Sequence, residues 1–212
     1  RPLDPPWTPA DEGVLFKWRK RRLLWKVPVP RGVVTGTVKL GDAELEMTGL
    51  GYHDFVQTDV PPWRVPLKEL LWGRALSHEG AFIWNRPLFV TGGEEKPVEL
   101  AWLREGQSPP VDFHTMTHTS KLVRHAETGE YYPAEMQFIV ANQDRSTRTL
   151  KLVDTSLVLG DSVADVAGFG GKLERWMYRT FTGNPVEYKL LSAVKDTPAK
   201  AAHEWVLWGR GR

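Results

Sequence analysis

The stretch GVVTGTVKLGDAELEMTG, residues 32–49, is the feature that most limits what this chain can fold into. Apolar or small residues alternate with Thr, Lys and Glu on both sides of Gly41-Asp42. Because successive side chains of a strand point to opposite faces, this period of two predicts a β-hairpin with one solvent-exposed face. A two-residue connection that contains glycine is typical of the turn between antiparallel strands.

Similar short runs of alternating residues recur along the rest of the chain, with turn-forming residues roughly every ten positions, as in antiparallel barrels and sandwiches. The helical signal is weaker. One short helical turn is predicted at Leu67–Trp72 and another around Val163. The run WMYRTFTG, residues 176–183, is predicted to be a strand. The sequence therefore predicts an all-β fold.

The composition indicates a folded core and excludes several classes of function. The chain has 212 residues, of which 41% are hydrophobic and ten are tryptophan, so tryptophan side chains are expected in a core or an apolar pocket. It has no cysteine, which excludes thiolate metal sites. A net charge of +2 provides no broad field to attract nucleic acid, so nucleic-acid binding is not predicted.

Two local clusters of charged or metal-ligating residues are candidate binding sites. The basic run Lys17–Arg22 is interpreted as a solvated face, and peripheral contact with an anionic membrane or an acidic partner is the alternative. In the segment HTMTH, the threonines indicate a strand, on which His114 and His118 would lie ~13 Å apart. That separation is too large for one metal ion, so no metal site is predicted.

The segment GLGYHDF, residues 49–55, contains the residues that could carry chemistry. On a strand, Tyr52 and Asp54 share one face and His53 points to the other. In one interpretation Asp54 is a structural residue that accepts backbone N–H bonds. In the other it lies in an apolar cavity, where burial raises the pKa of its carboxyl and keeps it protonated. A neutral carboxylic acid in such a cavity can act as a general acid.

Several motifs occur in one order along the chain: Trp25–Pro30 with a Val-Pro-x-Pro step, the Gly-x-Gly-Tyr-x-Asp sequence at Gly49–Asp54, Trp72–Ala75, and the later segment ETGEYYPAEMQFIV. Together they resemble the carotenoid 1,2-hydratase (hydroxyneurosporene synthase) and AttH-like family of the lipocalin-like superfamily. The resemblance implies an antiparallel lipocalin-like barrel that is part or all of a tandem arrangement. We expect an N-terminal β region over residues 1–78 and a C-terminal barrel over residues 79–212.

The resemblance also implies a function. The cavity would bind a small apolar ligand, such as an isoprenoid, polyene or lipid, and acid catalysis would hydrate or isomerise a carbon–carbon double bond. It implies catalytic roles for Asp54, Tyr52 and Trp25, and neither metal nor organic cofactor. The residues expected to contact the ligand are His53, Trp63, Trp72 and Trp84. A non-catalytic lipid or isoprenoid binder and a cofactor-free cyclase are the alternatives.

The chain departs from the family pattern in two ways. Phe55, Val56, Gln57 and Thr58 stand where many relatives continue with His-Asn. Only about 50 residues precede Tyr52, too few for a complete eight-stranded barrel at ordinary strand lengths. Either most of a first barrel lies outside this sequence or the fold is reduced.

Overall fold

The structure is a computed structural model that describes residues 1–9, 11–113, 115–142, 146–166 and 171–208. Within these ranges the chain is almost entirely β-structure, with two short helices near its C-terminal end. The elements are β1 (Val14–Trp18), β2 (Arg21–Leu40), β3 (Ala43–Thr58), β4 (Leu67–Leu76), β5 (Gly80–Thr91), β6 (Glu94–Pro97), β7 (Leu100–Glu105), β8 (Val111–Phe113), β9 (Thr115–Arg124), β10 (Tyr131–Ala141), β11 (Thr147–Ser162), α1 (Val163–Val166), α2 (Lys172–Thr182), β12 (Val186–Val194) and β13 (Lys200–Leu207).

The strands form two antiparallel sheets. In the described part of the chain, the small sheet has three strands in the order β1-β2-β3, and the large sheet has ten. The large sheet runs β8-β7-β5-β4-β13-β12-β11-β10-β9, with β6 paired to β5. It curls into a half-barrel, so the predicted all-β, lipocalin-like fold class is confirmed.

The predicted hairpin is present as β2 and β3, which pair in register from Val33↔Leu50 to Leu40↔Ala43 across the turn Gly41-Asp42. Gly41 has a φ of 60°, a backbone conformation that favours glycine. The hairpin is much longer than predicted, because β2 continues back to Arg21 and β3 continues to Thr58. This extension places the segment 49–55 within a continuous strand.

Two predictions of local structure were wrong and one is confirmed. The residues Leu67–Trp72 belong to strand β4, which is paired on both edges. Leu71 is buried in one core, and Leu70 and Trp72 are half-buried against the other, so apolar residues occur at successive positions. The run 176–183, predicted as a strand, lies mostly in helix α2, which ends where Gly183 adopts a φ of 78°. The helical turn predicted around Val163 is α1. Neither of the helices described here has the length and apolar character needed to span a bilayer.

The large sheet carries a separate apolar layer on each face. On the inner face of the half-barrel, Trp84 packs against Phe82 and Phe138. On the outer face, Ile83 and Trp102 join Trp25 and Trp7 from the small sheet and the N-terminal segment. Neighbouring residues of β5 therefore serve different cores, since their side chains alternate between the two faces.

A buried ion pair connects the N-terminal segment to both sheets. Arg31 of β2 donates hydrogen bonds to both carboxylate oxygens of Asp4, at 2.8 and 3.2 Å. It also donates to the carbonyls of Ser77 and His78, which lie in the turn between β4 and β5. Arg104 of β7 approaches the same carboxylate at 3.6 Å. The small sheet is thus fixed to one end of the large sheet by a buried network of charges.

The predicted division at residues 78–79 stays a prediction. In the structure, β4 precedes this boundary and pairs with β5 and β13, which both follow it. Strand pairing therefore runs continuously across residues 78–79.

Replacement of a glycine in β4 tests how tightly the inner face is packed. A Cβ atom added at Gly73 would lie 2.5 Å from His203 Cβ and 2.5 Å from Trp84 Cζ2, both buried. We expect Gly73→Ala to lower the free energy of unfolding by about 1–3 kcal/mol because the core must shift to admit the methyl group. Urea denaturation followed by circular dichroism measures the change.

The matched control is Gly49→Ala in β3, where an added Cβ would meet no atom within 4 Å. Its free energy of unfolding should stay within about 0.5 kcal/mol of the wild-type value. Equal destabilisation by the two substitutions would contradict the packing described for β4.

Candidate functional site

A cavity of about 420 Å³ lies between the small sheet and the outer face of the large sheet. Most of its wall is aliphatic or aromatic, contributed by β1–β5, β13 and the 3₁₀ turn Pro62–Arg64. Polar groups are few, which is usual for a site that binds an apolar small molecule. The lining residues are Leu15, Leu23, Trp25, Asp54, Val56, Pro62, Val65, Leu67, Leu70, Trp72, Asn85, Pro87, Phe89, Glu204 and Trp208.

Trp25 and Asp54 meet at the wall of this cavity. The indole N–H of Trp25 donates a hydrogen bond to Asp54 Oδ2 at 2.7 Å. Trp25 is fully buried and packs edge-on against Trp7, with ring centroids 5.2 Å apart. An indole N–H can only donate, so this contact fixes one oxygen of the carboxyl and the orientation of the group. The structure thus brings together two of the three residues predicted to be catalytic.

A row of side chains from neighbouring strands forms the opposite wall. Asn85 of β5 is aligned with Trp72 of β4, and Trp72 is aligned with Glu204 of β13. Residues in register across a sheet share a face, so all three side chains point into the cavity. The Asn85 side chain is buried, and its Oδ1 atom has no hydrogen-bond partner among the described residues. A buried unpaired acceptor in a cavity wall is suited to a ligand that carries a hydroxyl or another donor.

Glu204 provides a second carboxyl group in the same cavity. Burial, followed by the nearby charge of Glu187, raises the pKa of Glu204 to about 7. Lys189 lies 3.6 Å from Glu204 and 3.4 Å from Glu187, and it opposes part of this shift. The two glutamates raise the pKa of Lys189 in return. Near neutral pH, Glu204 therefore exchanges between its acid and carboxylate forms, as proton transfer requires.

Tyr52 lies beside the cavity rather than in its lining. It contributes to an adjacent cavity of about 670 Å³, and its ring centroid is 6.2 Å from that of Trp72. The Arg74 guanidinium lies over both rings, at 5.1 and 5.2 Å from their centroids. Burial and the nearby Asp54 carboxylate raise the pKa of Tyr52 above its ordinary value. The Tyr52 hydroxyl is buried, and no atom in the described part of the chain lies in hydrogen-bond geometry to it.

Three residues expected to contact the ligand lie elsewhere. His53 is exposed on the face of β3 opposite Asp54, as the alternation of a strand requires. Trp63 is 54% exposed in the 3₁₀ turn, where it borders a different depression next to Trp18. Trp84 belongs to the inner core, because it immediately precedes Asn85 in β5 and its side chain therefore lies on the opposite face of the strand. Of the four expected contacts, Trp72 lines the cavity.

Asn85 and Glu204 were not among the residues predicted from the sequence. Their signal in the sequence is weak, since each is one polar residue within an apolar strand, as in FIWNRP and AHEWVL. A polar residue at a position that alternation places on a buried face is the pattern that could have indicated them.

No group of three potential metal-ligating side chains was found where the structure describes the chain. His114 lies outside the described residues, so the predicted separation from His118 stays a prediction. His118 packs against Phe138 and Trp205, and burial lowers its pKa.

Three solved structures resemble the chain over nearly its whole length at low sequence identity. They are a protein described as AttH from Nitrosomonas europaea (TM-score 0.62, 13% identity, 97% of this chain), kievitone hydratase from Nectria haematococca (0.55, 11%, 95%) and CghA with Sch210972 (0.52, 10%, 97%). The fold is lipocalin-like and AttH-type. The chain spans 59%, 57% and 58% of the lengths of these three proteins. No family model and no curated protein sequence matches it.

The raised pKa of Glu204 has a consequence for stability that can be measured. Between pH 4.5 and about 7 the folded protein keeps a proton that the unfolded chain releases, so the contribution of Glu204 is complete below pH 4.5 and is lost as pH rises. We expect the free energy of unfolding of the wild type, relative to Glu204→Gln, to fall by on the order of 2 kcal/mol over this interval. Chemical denaturation at a series of pH values provides the measurement.

Glu135→Gln is the control, because Glu135 is an exposed carboxyl that pairs with Lys121 at 3.1 Å. Its pH profile should run parallel to that of the wild type. A parallel profile for Glu204→Gln as well would show that Glu204 titrates as an ordinary surface carboxyl.

Proposed function

We propose that this protein binds an apolar isoprenoid- or lipid-like ligand between its two sheets and adds water to, or isomerises, a carbon–carbon double bond by acid catalysis. The single observation that carries the proposal is the placement of two carboxyl groups, Asp54 and Glu204, in the wall of one apolar cavity. A purely structural apolar core would gain nothing from two such groups, since each costs free energy to bury.

The two carboxyl groups can divide the work of proton transfer. Glu204, whose pKa is about 7, donates its proton to one alkene carbon, so an O–H bond breaks and a C–H bond forms. The positive charge is left on the more substituted carbon. Water adds to that carbon, and its proton passes to the Asp54 carboxylate, which Trp25 holds in place. In an isomerisation, Asp54 instead removes a proton from the neighbouring carbon.

The aromatic residues then have different roles. Arg74 already occupies a face of the Tyr52 and Trp72 rings, so a second positive charge on those faces would be repelled. We therefore assign Tyr52 to shaping the wall beside Asp54 and Trp25 to orienting the carboxyl. The dry wall around the ligand excludes competing water and strengthens each electrostatic contact.

A second candidate is a non-catalytic binder that uses the same cavity. It is favoured by the residues that follow Asp54, because Phe55 and Val56 replace the polar continuation of the motif and are 39% and 61% exposed. Such a binder needs the apolar walls and the unpaired Asn85 oxygen, which would accept a hydrogen bond from the ligand. It does not need either carboxyl group to change protonation.

Turnover of an alkene in labelled water distinguishes the two candidates. Ligand that copurifies with the protein is identified by native mass spectrometry, and related isoprenoid alkenes are incubated with the protein in ¹⁸O-water. We expect a hydrated product with one labelled oxygen and a rate that falls as pH rises above about 7, because Glu204 loses its proton. Asp54→Asn and Glu204→Gln should each reduce turnover by roughly 100-fold or more while ligand affinity changes little.

Glu69→Gln provides a matched control. Glu69 of β4 is also a partly buried carboxyl with a raised pKa, but it pairs with Arg86 and does not line the cavity. This variant should keep wild-type turnover. Ligand binding without any labelled or isomerised product, unchanged by either carboxyl substitution, would favour the non-catalytic binder and contradict the proposed enzyme.

A further inference from the structure

Helix α2 is amphipathic in an orientation opposite to the usual one. In a helix of a soluble protein the apolar side normally faces the core. Here the apolar side chains point to solvent, with exposed fractions of 66% for Leu173, 62% for Trp176, 39% for Met177 and 50% for Phe181. At 100° per residue these four positions share one side of the helix. An apolar face of this size on an exposed helix indicates that something else covers it.

The side of α2 that faces the protein is polar. Thr182 is buried, Tyr178 is half-buried, and burial together with the charge of Glu187 on β12 raises the pKa of Tyr178. Arg179 forms an ion pair with Asp165 of α1 at 2.6 Å, and Arg175 approaches the same carboxylate at 3.9 Å. These polar contacts fix the helix with its apolar side outward.

Basic and aromatic residues surround this helix. Lys172, Arg175 and Arg179 lie on its polar flanks, with Glu174 the one acidic residue within α2. The helix contacts the 3₁₀ turn Pro62–Arg64, whose Trp63 side chain is 54% exposed.

From that turn the basic surface continues into the β1–β2 hairpin. The Arg64 guanidinium lies over the ring of Trp18, 5.5 Å from its centroid, and Arg19 and Arg21 approach the same ring at 4.9 and 5.9 Å. The segment Lys17–Arg22 contributes five basic residues and no acidic one. Nearby acidic groups are Glu12, which pairs with Arg22 at 3.8 Å, and Asp59, which accepts a backbone hydrogen bond from Arg22. The balance remains positive.

We propose that α2 is a membrane-docking helix, which lies in the interface of an anionic lipid bilayer with its apolar side in the acyl region and Lys17–Arg22 on the lipid phosphates. A helix with Leu, Trp and Phe on one side and Lys and Arg on the flanks is the type that binds bilayer interfaces. Exposed tryptophan beside arginine fits the headgroup region, and clustered cations attract anionic lipid. The core of a protein–protein interface, by contrast, is depleted in charge.

The position of α2 gives this docking a consequence for the cavity. The 3₁₀ turn that contacts α2 also contributes Pro62 to the cavity wall. When α2 lies on a bilayer, the cavity would therefore be close to the acyl-chain region, where apolar ligands dissolve. Membrane docking itself requires neither Asp54 nor Glu204, so it stands or fails independently of the proposed chemistry.

Vesicle flotation with the full chain tests the proposal. We expect the protein to float with vesicles of phosphatidylcholine and phosphatidylglycerol in equal parts, and to float poorly with phosphatidylcholine alone or at high salt. Leu173→Gln and Trp176→Gln should each weaken vesicle binding by roughly tenfold. Arg19→Gln and Lys20→Gln should each weaken it by roughly fivefold.

Leu191→Gln is the matched control. Leu191 is an apolar side chain of β12 that is 51% exposed, and it belongs neither to α2 nor to the basic segment Lys17–Arg22. It should float like the wild type, and unchanged thermal unfolding shows that each variant is folded. Failure of the wild type to float with anionic vesicles overturns the proposal. If the wild type instead forms a dimer that Trp176→Gln dissociates, the helix is a protein interface and membrane docking is also overturned.

Discussion

The buried contact between Arg31 and Asp4 is the interaction on which the arrangement of the molecule depends. It ties the small sheet and the N-terminal segment to the turn between β4 and β5, and removing one partner would leave a charge buried without compensation. Away from this contact, Trp25 and Trp102 fill the space between the sheets. Beyond them the sheets leave the cavity that Asp54 lines. The site therefore exists because two sheets are held together at one end and not packed throughout.

Much of the fold follows from local patterns in the sequence. The alternation around Gly41-Asp42 correctly predicts the β2–β3 hairpin, because a period of two is that of a strand. The prediction that one face of this hairpin is covered was wrong, since residues 34–49 are exposed on both faces. The same period-two rule fails at Leu67–Trp72, since one face of β4 packs in the inner core and the other lines the cavity, and both need apolar residues. The prediction also fails at α2, where the sequence predicted a strand. Its apolar residues do recur every three or four positions, but the helix is short and no side chain caps its N-terminus.

The candidate site is predictable only in part, because its halves are far apart along the chain. Asp54 and Trp25 belong to adjacent strands and to recognisable motifs, so the sequence indicates both. Glu204 reaches the same cavity only through the pairing of β13 with β4, which no local pattern encodes. Trp84 was expected to contact the ligand, and this prediction was wrong. The alternation of side chains along β5 places Trp84 in the inner core, on the face opposite the cavity.

We propose that the ligand binds between the sheets and not inside the half-barrel. Photolabelling with a long-chain alkyl diazirine, followed by peptide mapping, tests this location directly. Labels should fall on β3, β4 and β13, at or near Asp54, Leu70 and Glu204, and they should decrease when copurified ligand is present. Labels concentrated on the inner core, at Met116 and Phe138, would show that the ligand enters the half-barrel and would contradict the assignment of the site.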